Sequence, residues 1–412
     1  MASPGSRQVI IAGGGIAGLT AALAFAARGF AVQVYERAAT LDQTGAGLQL
    51  SPNAVRLLRE LDVTDALAGV AVRPDHVALR DAASLAVLAR VRLGDFAAQR
   101  WGAPYLVAHR ADLHSALIAR ASRAPDISII TDAAVRDFAM YADGVTVSID
   151  RAGKIVEASG RMLVAADGVW SSLRALAGDK GKSRFSGRIA WRAAVRGGGA
   201  AGKIIAGITE PNSVTAFLHP NSHMIVYPLR GGDTLNLVAV TEGSALGENW
   251  SGQADPALLD ASVAGASSDI GRLIKAVASW TVWPIHTVAF AGPWTLGGSF
   301  ALIGDAAHAM TPYAAQGAAM GIEDAVTLAD AVATSPADAR PALEAWETAR
   351  RARIEKVIRR GALNRFAWHA SGPVALARNL FLKTRSPERL AADLDWLYGW
   401  RMPQANVKIK PS

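Results

Sequence analysis

Cysteine is absent from this 412-residue chain. That excludes disulfides, thiolate nucleophiles, cysteine-ligated zinc and iron–sulfur clusters. Any redox chemistry here must run without a dithiol–disulfide couple. A cysteine-free chain fits a reducing, cytoplasmic setting. Long apolar runs are missing too. Gly13, Gly14 and Gly15 break the N-terminal apolar stretch, so it reads neither as a signal peptide nor as a membrane span. No later apolar run reaches the roughly 18 residues a span needs. The chain contains no H-E-x-x-H, no P-loop and no G-x-S-x-G, and it has no internal repeat or low-complexity stretch. The residues are 51% hydrophobic, and the chain is too long for one ordinary core, so two or more domains are expected.

The net charge is +8. The densest basic segment runs from Arg340 to Arg365, with Arg350, Arg351, Arg353, Lys356, Arg359 and Arg360. It also carries the i,i+4 pairs Glu347–Arg351 and Glu355–Arg359. Ile354, Val357 and Ile358 form an apolar stripe at helical spacing. A solvated amphipathic helix accounts for the segment without nucleic acid. The charge surplus suits attraction of anionic cofactors and substrates.

What the chain does have is a glycine turn near its start. Gln8 to Ala12 reads as a strand, and Gly13, Gly15 and Gly18 fit G-x-G-x-x-G. A helix follows, then a second strand, Ala31 to Tyr35, ending at Glu36. Gly13 permits the tight turn, Gly15 lets backbone approach a pyrophosphate, and Gly18 lets the helix lie close to the sheet. The helix N-terminus offers free N–H groups and a positive dipole end to phosphates. Glu36, 18 positions after Gly18, is placed to accept hydrogen bonds from a ribose. Only one such fingerprint occurs, which points to a single tightly held dinucleotide.

Farther along, Pro52 to Leu61 is predicted helical with Ser51 as its N-cap. A helix is expected over Asp112 to Ala121, a strand over Ile127 to Ile130, and an antiparallel strand over Val145 to Ile149 after the Asp143-Gly144 turn. Met162 to Ala166 and Phe300 to Ile303 read as buried strands ending in Asp167-Gly168 and Gly304-Asp305. Between them, from Phe185 to Ile285, short β-type segments alternate with Gly-, Pro- and Asn-rich turns, as for an antiparallel sheet. One helix, Pro256 to Val277, is expected to interrupt it. Another is expected from Gly317 to Ala333, and the chain from Pro341 reads as mostly helical. Ligands of open α/β sheets bind beyond the carboxyl ends of the strands, where Asp167 and Asp305 lie.

The ordered set of the glycine fingerprint with Glu36, then His109-Arg110-Ala111-Asp112-Leu113, then Asp167-Gly168, then Gly304-Asp305 resembles the group A FAD-dependent aromatic monooxygenases. The resemblance covers roughly residues 8 to 330. It implies an α/β fold like that of p-hydroxybenzoate hydroxylase: a Rossmann-type FAD-binding domain with an inserted antiparallel substrate sheet and a helical C-terminal region. The expected divisions are 1–180, with a substrate-domain piece near 75–104, then 181–284, 285–335 and 336–412.

By that resemblance Gly13, Gly15 and Gly18 cradle the FAD pyrophosphate, and Glu36 binds the adenosine ribose. Arg37 and Arg110 lie near the adenosine and pyrophosphate, and Val135 contacts adenine through its backbone. Asp167 belongs to a motif shared by FAD and NAD(P)H binding. Gly304 and Asp305 meet the ribityl chain. Pro312, Gln316, Gly317 and Ala318 match the loop and helix start beneath the isoalloxazine ring. The run Gly45 to Ala54, including Gly47, resembles the loop passing the flavin edge. Within the family the likeness is greatest to the salicylate and 3-hydroxybenzoate hydroxylase branch, whose substrate strand matches His223 to Arg230. His223 and Tyr227 are four apart, so on a strand they share a face. The resemblance makes them the catalytic pair, although the related enzymes carry Gln where this chain has Pro312.

The expected activity is hydroxylation of a small phenolic or heteroaromatic acid, with NADH or NADPH reducing FAD and O₂ yielding a flavin C4a-hydroperoxide. His223 would serve as base toward the substrate hydroxyl and Tyr227 as orienting group. Arg192 and Arg230 are both candidates for the substrate carboxylate. Other readings are oxidation of a quinone, lipid or natural product, with membrane association around Val374 to Leu382, and a flavin-binding protein without turnover. No metal site is expected, and a homodimer stays open.

Overall fold

The computed structural model describes residues 7–41, 47–179, 182–244, 252–253, 255–289, 291–335 and 338–402. Two sheets organise it. The first has six strands in the order Thr295–Leu296, Phe300–Leu302, Met162–Ala165, Gln8–Ala12, Ala31–Tyr35 and Ile127–Ile130. All its pairings are parallel except the one at the Thr295–Leu296 edge. Its strands are nearly continuous apolar runs because helices cover the sheet. Val9, Ile10, Ile11, Leu163 and Val164 are fully buried. Helices Ile16–Ala26 and Gly317–Ala333 pack against each other beside this sheet. A three-stranded antiparallel sheet, Ala133–Tyr141, Gly144–Arg151 and Lys154–Gly160, leads back into Met162–Ala165.

The second sheet has eight strands: Gly252–Gln253, Thr281–Thr287, Arg184–Arg196, Thr234–Glu242, Ser222–Leu229, Ser213–His219, His76–Asp81 and Val87–Arg92, in that order. The strands of the Phe185–Ile285 segment pair antiparallel, as their alternation implied. Two strands from the 76–92 region complete it, joined by the parallel pairing of Ser213–His219 with His76–Asp81. Helices Arg340–Trp368, Gly372–Thr384, Pro387–Ala392 and Asp395–Tyr398 follow. Among the described residues no helix is long and apolar enough to cross a membrane.

Three local expectations need correction. The helix expected over Pro256 to Val277 is two helices, Pro256–Ser262 and Ser268–Ala276. Gly265 takes φ +87° between them, and the Ser267 side chain caps the second by accepting from the Asp269 N–H at 3.3 Å. Ser51 precedes helix Pro52–Glu60 but makes no side-chain cap. Its hydroxyl donates to Asn53 Oδ1 (2.6 Å) and accepts from Gln316 Nε2 (3.0 Å), tying two helix starts together. Helix Arg340–Trp368 is not simply solvated. Arg350 is 3% exposed and pairs with Glu323 and Asp324, each at 2.7 Å, and Arg353 pairs with Glu323 at 2.8 Å. The pairs Glu347–Arg351 (2.7 Å) and Glu355–Arg359 (3.1 Å) are present as expected.

Candidate active site

A cleft of about 560 Å³ runs from the glycine turn, past the carboxyl ends of the parallel strands, to the inner face of the eight-stranded sheet. Gly13 and Gly15 line its start, with Glu36, Arg37, Arg110 and Val135 around them. Asp167, Gly304, Asp305 and Gly47 line its middle. Pro312, Gly317, Ala318 and Tyr227 line its far end. Three residues singled out from sequence do not line it: Gly18, His223 and Arg230.

The glycines divide the work by geometry. Gly13 has φ +110°, and a side chain there would collide with the Ala166 carbonyl. A Cβ on Gly18 would collide with the Gly13 carbonyl, so Gly18 serves helix packing rather than the cleft wall. A Cβ on Gly15 would meet nothing within 4 Å. No protein contact demands a glycine there. The open space in front of it, at the N-terminus of Ile16–Ala26, suits a ligand's phosphates. Glu36 is fixed by two backbone donors, Gly14 N–H at 2.7 Å and Ala38 N–H at 2.9 Å. It thus shapes the glycine loop while lining the cleft.

Sequence reasoning missed several positioning residues. His114 Nε2 lies 2.6 Å from the Gly14 carbonyl, and burial lowers its pKa, so the neutral ring donates there. It directly follows the quoted His109-to-Leu113 run, which was the available signal. Arg174 is buried and donates to the carbonyls of Ala306 (2.8 Å) and Val169 (3.2 Å), linking the Asp167 and Asp305 loops. Burial raises the Asp167 carboxyl above its ordinary range, and its Oδ1 has no hydrogen-bond partner. Asn236 Oδ1 accepts from the Gly47 N–H at 2.8 Å. Gly47 lies against Tyr227, whose Cε2 would be 2.6 Å from a Cβ placed there. Gly45 and Ala46 lie outside the described residues. His308, three residues after Asp305, is buried against Asp324 at 2.5 Å.

At the sheet end, Tyr227 and Ile225 line the cleft together with Arg192 and Val238. Burial raises the Tyr227 phenol well above its ordinary value, and the charge of Arg192 offsets part of that rise. Arg192 lies over the Trp283 ring at 5.2 Å. Among the described residues its guanidinium has no carboxylate partner, and its Nε is buried without a hydrogen bond. Arg230, the other candidate, is 55% exposed and paired with Asp112 at 2.8 Å, away from the cleft. His223 shares the face of Tyr227 but lies beyond Ile225. It is 2% exposed, its Nδ1 is 3.0 Å from His369 Nε2, and its ring packs on Tyr313 and Trp368. Burial, with the nearby His369 second, lowers its pKa to about 3, so it is a neutral imidazole.

The cleft therefore presents a phosphate-sized opening at a helix N-terminus, carboxylates at strand ends and an aromatic-sized end under a sheet. The donor set fits FAD. The sequence profile of the FAD binding domain family matches residues 6–361. The chain is 34% identical over 408 residues to a 3-hydroxybenzoate 6-hydroxylase of Polaromonas naphthalenivorans (strain CJ2), covering 98% of this chain and 99% of that one. It is 36% identical over 396 residues to a 3-amino-4-hydroxybenzoate 2-monooxygenase of Streptomyces platensis, covering 95% and 96%. A solved salicylate hydroxylase substrate complex superposes with a TM-score of 0.81 at 24% identity, covering 97% of each chain. That likeness supports the fold. Cleft and relatives agree, and the chain belongs to the FAD binding domain family, among the group A FAD-dependent aromatic monooxygenases.

Proposed function

We propose that this enzyme hydroxylates a small aromatic acid bearing a ring hydroxyl, a hydroxybenzoate or hydroxypyridine carboxylate. The observation that carries the reading is the guanidinium of Arg192, partnered by no carboxylate among the described residues, beside the Tyr227 phenol at the apolar end of the cleft. A half-buried cation without a counter-ion favours an anionic ligand, because the ligand replaces lost hydration with a charge-assisted bond. Relatives matching nearly the whole chain are named for hydroxybenzoate substrates, which supports the same class.

FAD, reduced by NADH or NADPH, supplies the activation of O₂. Gly13, Gly15 and the start of Ile16–Ala26 would hold its pyrophosphate, Glu36 its adenosine ribose, and Asp305 its ribityl chain. The N-terminus of Gly317–Ala333 would stabilise negative charge on the ring system. The chain's own part is to orient the acid. Arg192 takes the carboxylate and Ile225 and Val238 flank the ring. Tyr227, a neutral phenol, hydrogen-bonds the substrate hydroxyl. Electrophilic attack is faster on a phenolate, so loss of that proton assists the step. His223, whose imidazole refuses a proton until about pH 3, is not that base; with Nδ1 bonded to His369 it backs the sheet behind Ile225, and the proton is lost to solvent. Burial of the cleft end excludes water from the reacting atoms.

The test is FAD-loaded protein with NADH or NADPH and a panel of hydroxybenzoates and hydroxypyridine acids. Reductant consumption should rise with one class of acid, with stoichiometric hydroxylated product. Peroxide without hydroxylated product across the whole panel refutes the substrate class.

A further inference from the structure

The outer end of the substrate surface is closed by a wall of packed rings, one of which, His369, also lines a second hollow. Outward along the sheet face, Tyr227, Ile225 and His223 follow one another opposite Asn236, Val238 and Val240. On the next strand Arg192, Ala190 and Arg188 continue the same progression. The wall consists of His223, Tyr313, Trp368 and His369, with ring centroids 5.0–5.8 Å apart. Tyr313 directly follows Pro312 of the cleft lining. One hydrogen bond, His223 Nδ1 to His369 Nε2 at 3.0 Å, spans it. His369 belongs to the short connection between helices Arg340–Trp368 and Gly372–Thr384, and it also lines the second hollow.

That hollow has a volume of about 310 Å³ and is lined by Arg188, Arg365, Phe366, His369, Ser371 and Val374, with Ala370 at its base. Arg365 is exposed and has no ion-pair partner among the described residues. Arg188 leans on Glu242 at 2.8 Å, and that carboxylate is itself 76% exposed. Ser371 is the N-cap residue of the 13-residue helix Gly372–Thr384, and its side chain makes no cap bond; Pro373 has no N–H and the Ala375 N–H donates to the Ser371 carbonyl, which leaves the Gly372 and Val374 N–H groups for an anion. Phe366 and Val374 add apolar flanks. Two guanidiniums, an uncapped helix start and an aromatic face suit a flat, singly charged aromatic carboxylate.

We propose that this hollow is an outer binding site for the aromatic carboxylate, from which the substrate enters the flavin cleft when the His223–His369 pair parts. The proposal rests on the aromatic-acid reading above. An outer site on the path alters the rate of entry more than the final equilibrium, so the readout is kinetic.

The experiment mixes FAD-loaded protein with 3-hydroxybenzoate in a stopped-flow instrument and follows the flavin absorbance change. For Arg365→Gln the association rate constant should fall about 3- to 10-fold and lose part of its salt dependence, as expected for one steering charge. Arg365→Lys should restore most of it, and uncharged 3-hydroxybenzyl alcohol should enter all three proteins equally fast. Wild-type association of 3-hydroxybenzoate with Arg365→Gln overturns the proposal, as does equal slowing of the alcohol. If no aromatic acid perturbs the flavin, the substrate reading has failed, and quenching of tryptophan fluorescence by 3-hydroxybenzoate tests the hollow alone. Quenching lost in Arg365→Gln upholds the outer site. Quenching that is unchanged, or absent from the wild type, overturns it.

Discussion

Substituting alanine for glycine at positions 15 and 18 separates ligand space from protein packing within one turn of chain. Gly15 has φ −76° and ψ −176°, a conformation any residue adopts, and a Cβ there touches nothing within 4 Å. Gly15→Ala in the apoprotein gains about 0.4–1 kcal/mol from reduced unfolded-chain freedom. It loses about 0.5–1 kcal/mol because glycine is the better N-cap. The two nearly cancel, so apoprotein stability should move by less than about 1 kcal/mol. FAD is different, because the new methyl occupies the approach to the helix N-terminus. Losing one charge-assisted amide–phosphate bond costs about 1.5–3 kcal/mol, or roughly a 10- to 150-fold weaker affinity. Gly18→Ala reverses the pattern. Its Cβ overlaps the Gly13 carbonyl oxygen, a backbone atom that cannot swing away, so the fold should lose about 2–3 kcal/mol or more. Denaturant melts of both apoproteins and FAD titrations followed by flavin fluorescence make the comparison. The reasoning fails if Gly15→Ala binds FAD within threefold of wild type. It fails equally if Gly15→Ala destabilises the apoprotein as much as Gly18→Ala does.

Arg350→Met should cost about 3–5 kcal/mol in denaturant melts, since Glu323 and Asp324 would keep buried charge with the guanidinium they share removed; a loss under about 1 kcal/mol would refute that account. Stability should fall as pH drops from 6.5 toward 3, because the unfolded chain takes up the proton that buried His223 refuses until about pH 3. His223→Phe should flatten that slope, and an unchanged slope between pH 6.5 and 4 would show that the imidazole is not buried neutral. Asp324, held ionised down to about pH 2 mainly by His308 and Arg350 against the opposing effect of burial, adds stability above pH 3.8 that is lost below it. In steady-state assays, Arg192→Gln should raise KM for aromatic acids about 10- to 100-fold, the worth of one charge-assisted bond, and leave a carboxylate-free phenol unaffected. Equal loss with both substrates would assign Arg192 a packing role over Trp283.

The parts legible in the sequence are those whose geometry is written within a few residues. The glycine turn is one: Gly13, Gly15 and Gly18 act inside a single strand–turn–helix unit, and spacing alone sets their roles. The shared face of His223 and Tyr227 is another, because strand parity needs no partner. Which of the two reaches the cleft was not legible. It depends on how far the sheet extends past Pro312 and on Trp368 and His369, more than 140 positions later, closing over His223. The choice between Arg192 and Arg230 was equally hidden, since it turns on Asp112 meeting Arg230 across 118 positions. Arg350 and Arg353 look like members of a solvated stripe because helical periodicity records only their own helix. Their carboxylates lie on Gly317–Ala333, where Glu323 and Asp324 carry no local sign of burial. The break at Gly265 could have been read from its glycine and the Ser267-Ser268-Asp269 capping pattern. An apolar period on both sides masked it.

Helix Gly317–Ala333 joins these separate pieces mechanically. Its first turn lies at the end of the cleft where the isoalloxazine would sit, and Gln316 just before it is bonded to Ser51. One turn on, Glu323 accepts from Asn53 Nδ2 at 2.8 Å and pairs with Arg350 and Arg353. Asp324 accepts from the Gly304 N–H at 2.9 Å and from Arg350 at 2.7 Å. Gly304 precedes Asp305, so one carboxylate holds both the Gly304–Asp305 loop and the long helix Arg340–Trp368. That helix ends at the wall formed by Trp368 and His369. A shift of the flavin-side loop is therefore coupled through Asp324 and Arg350 to the element that carries the outer wall. Because those charges are buried, the pairing cannot loosen by degrees without exposing an uncompensated ion. If the flavin and the substrate entry lie as proposed, occupancy of the first should alter the rate of passage through the second.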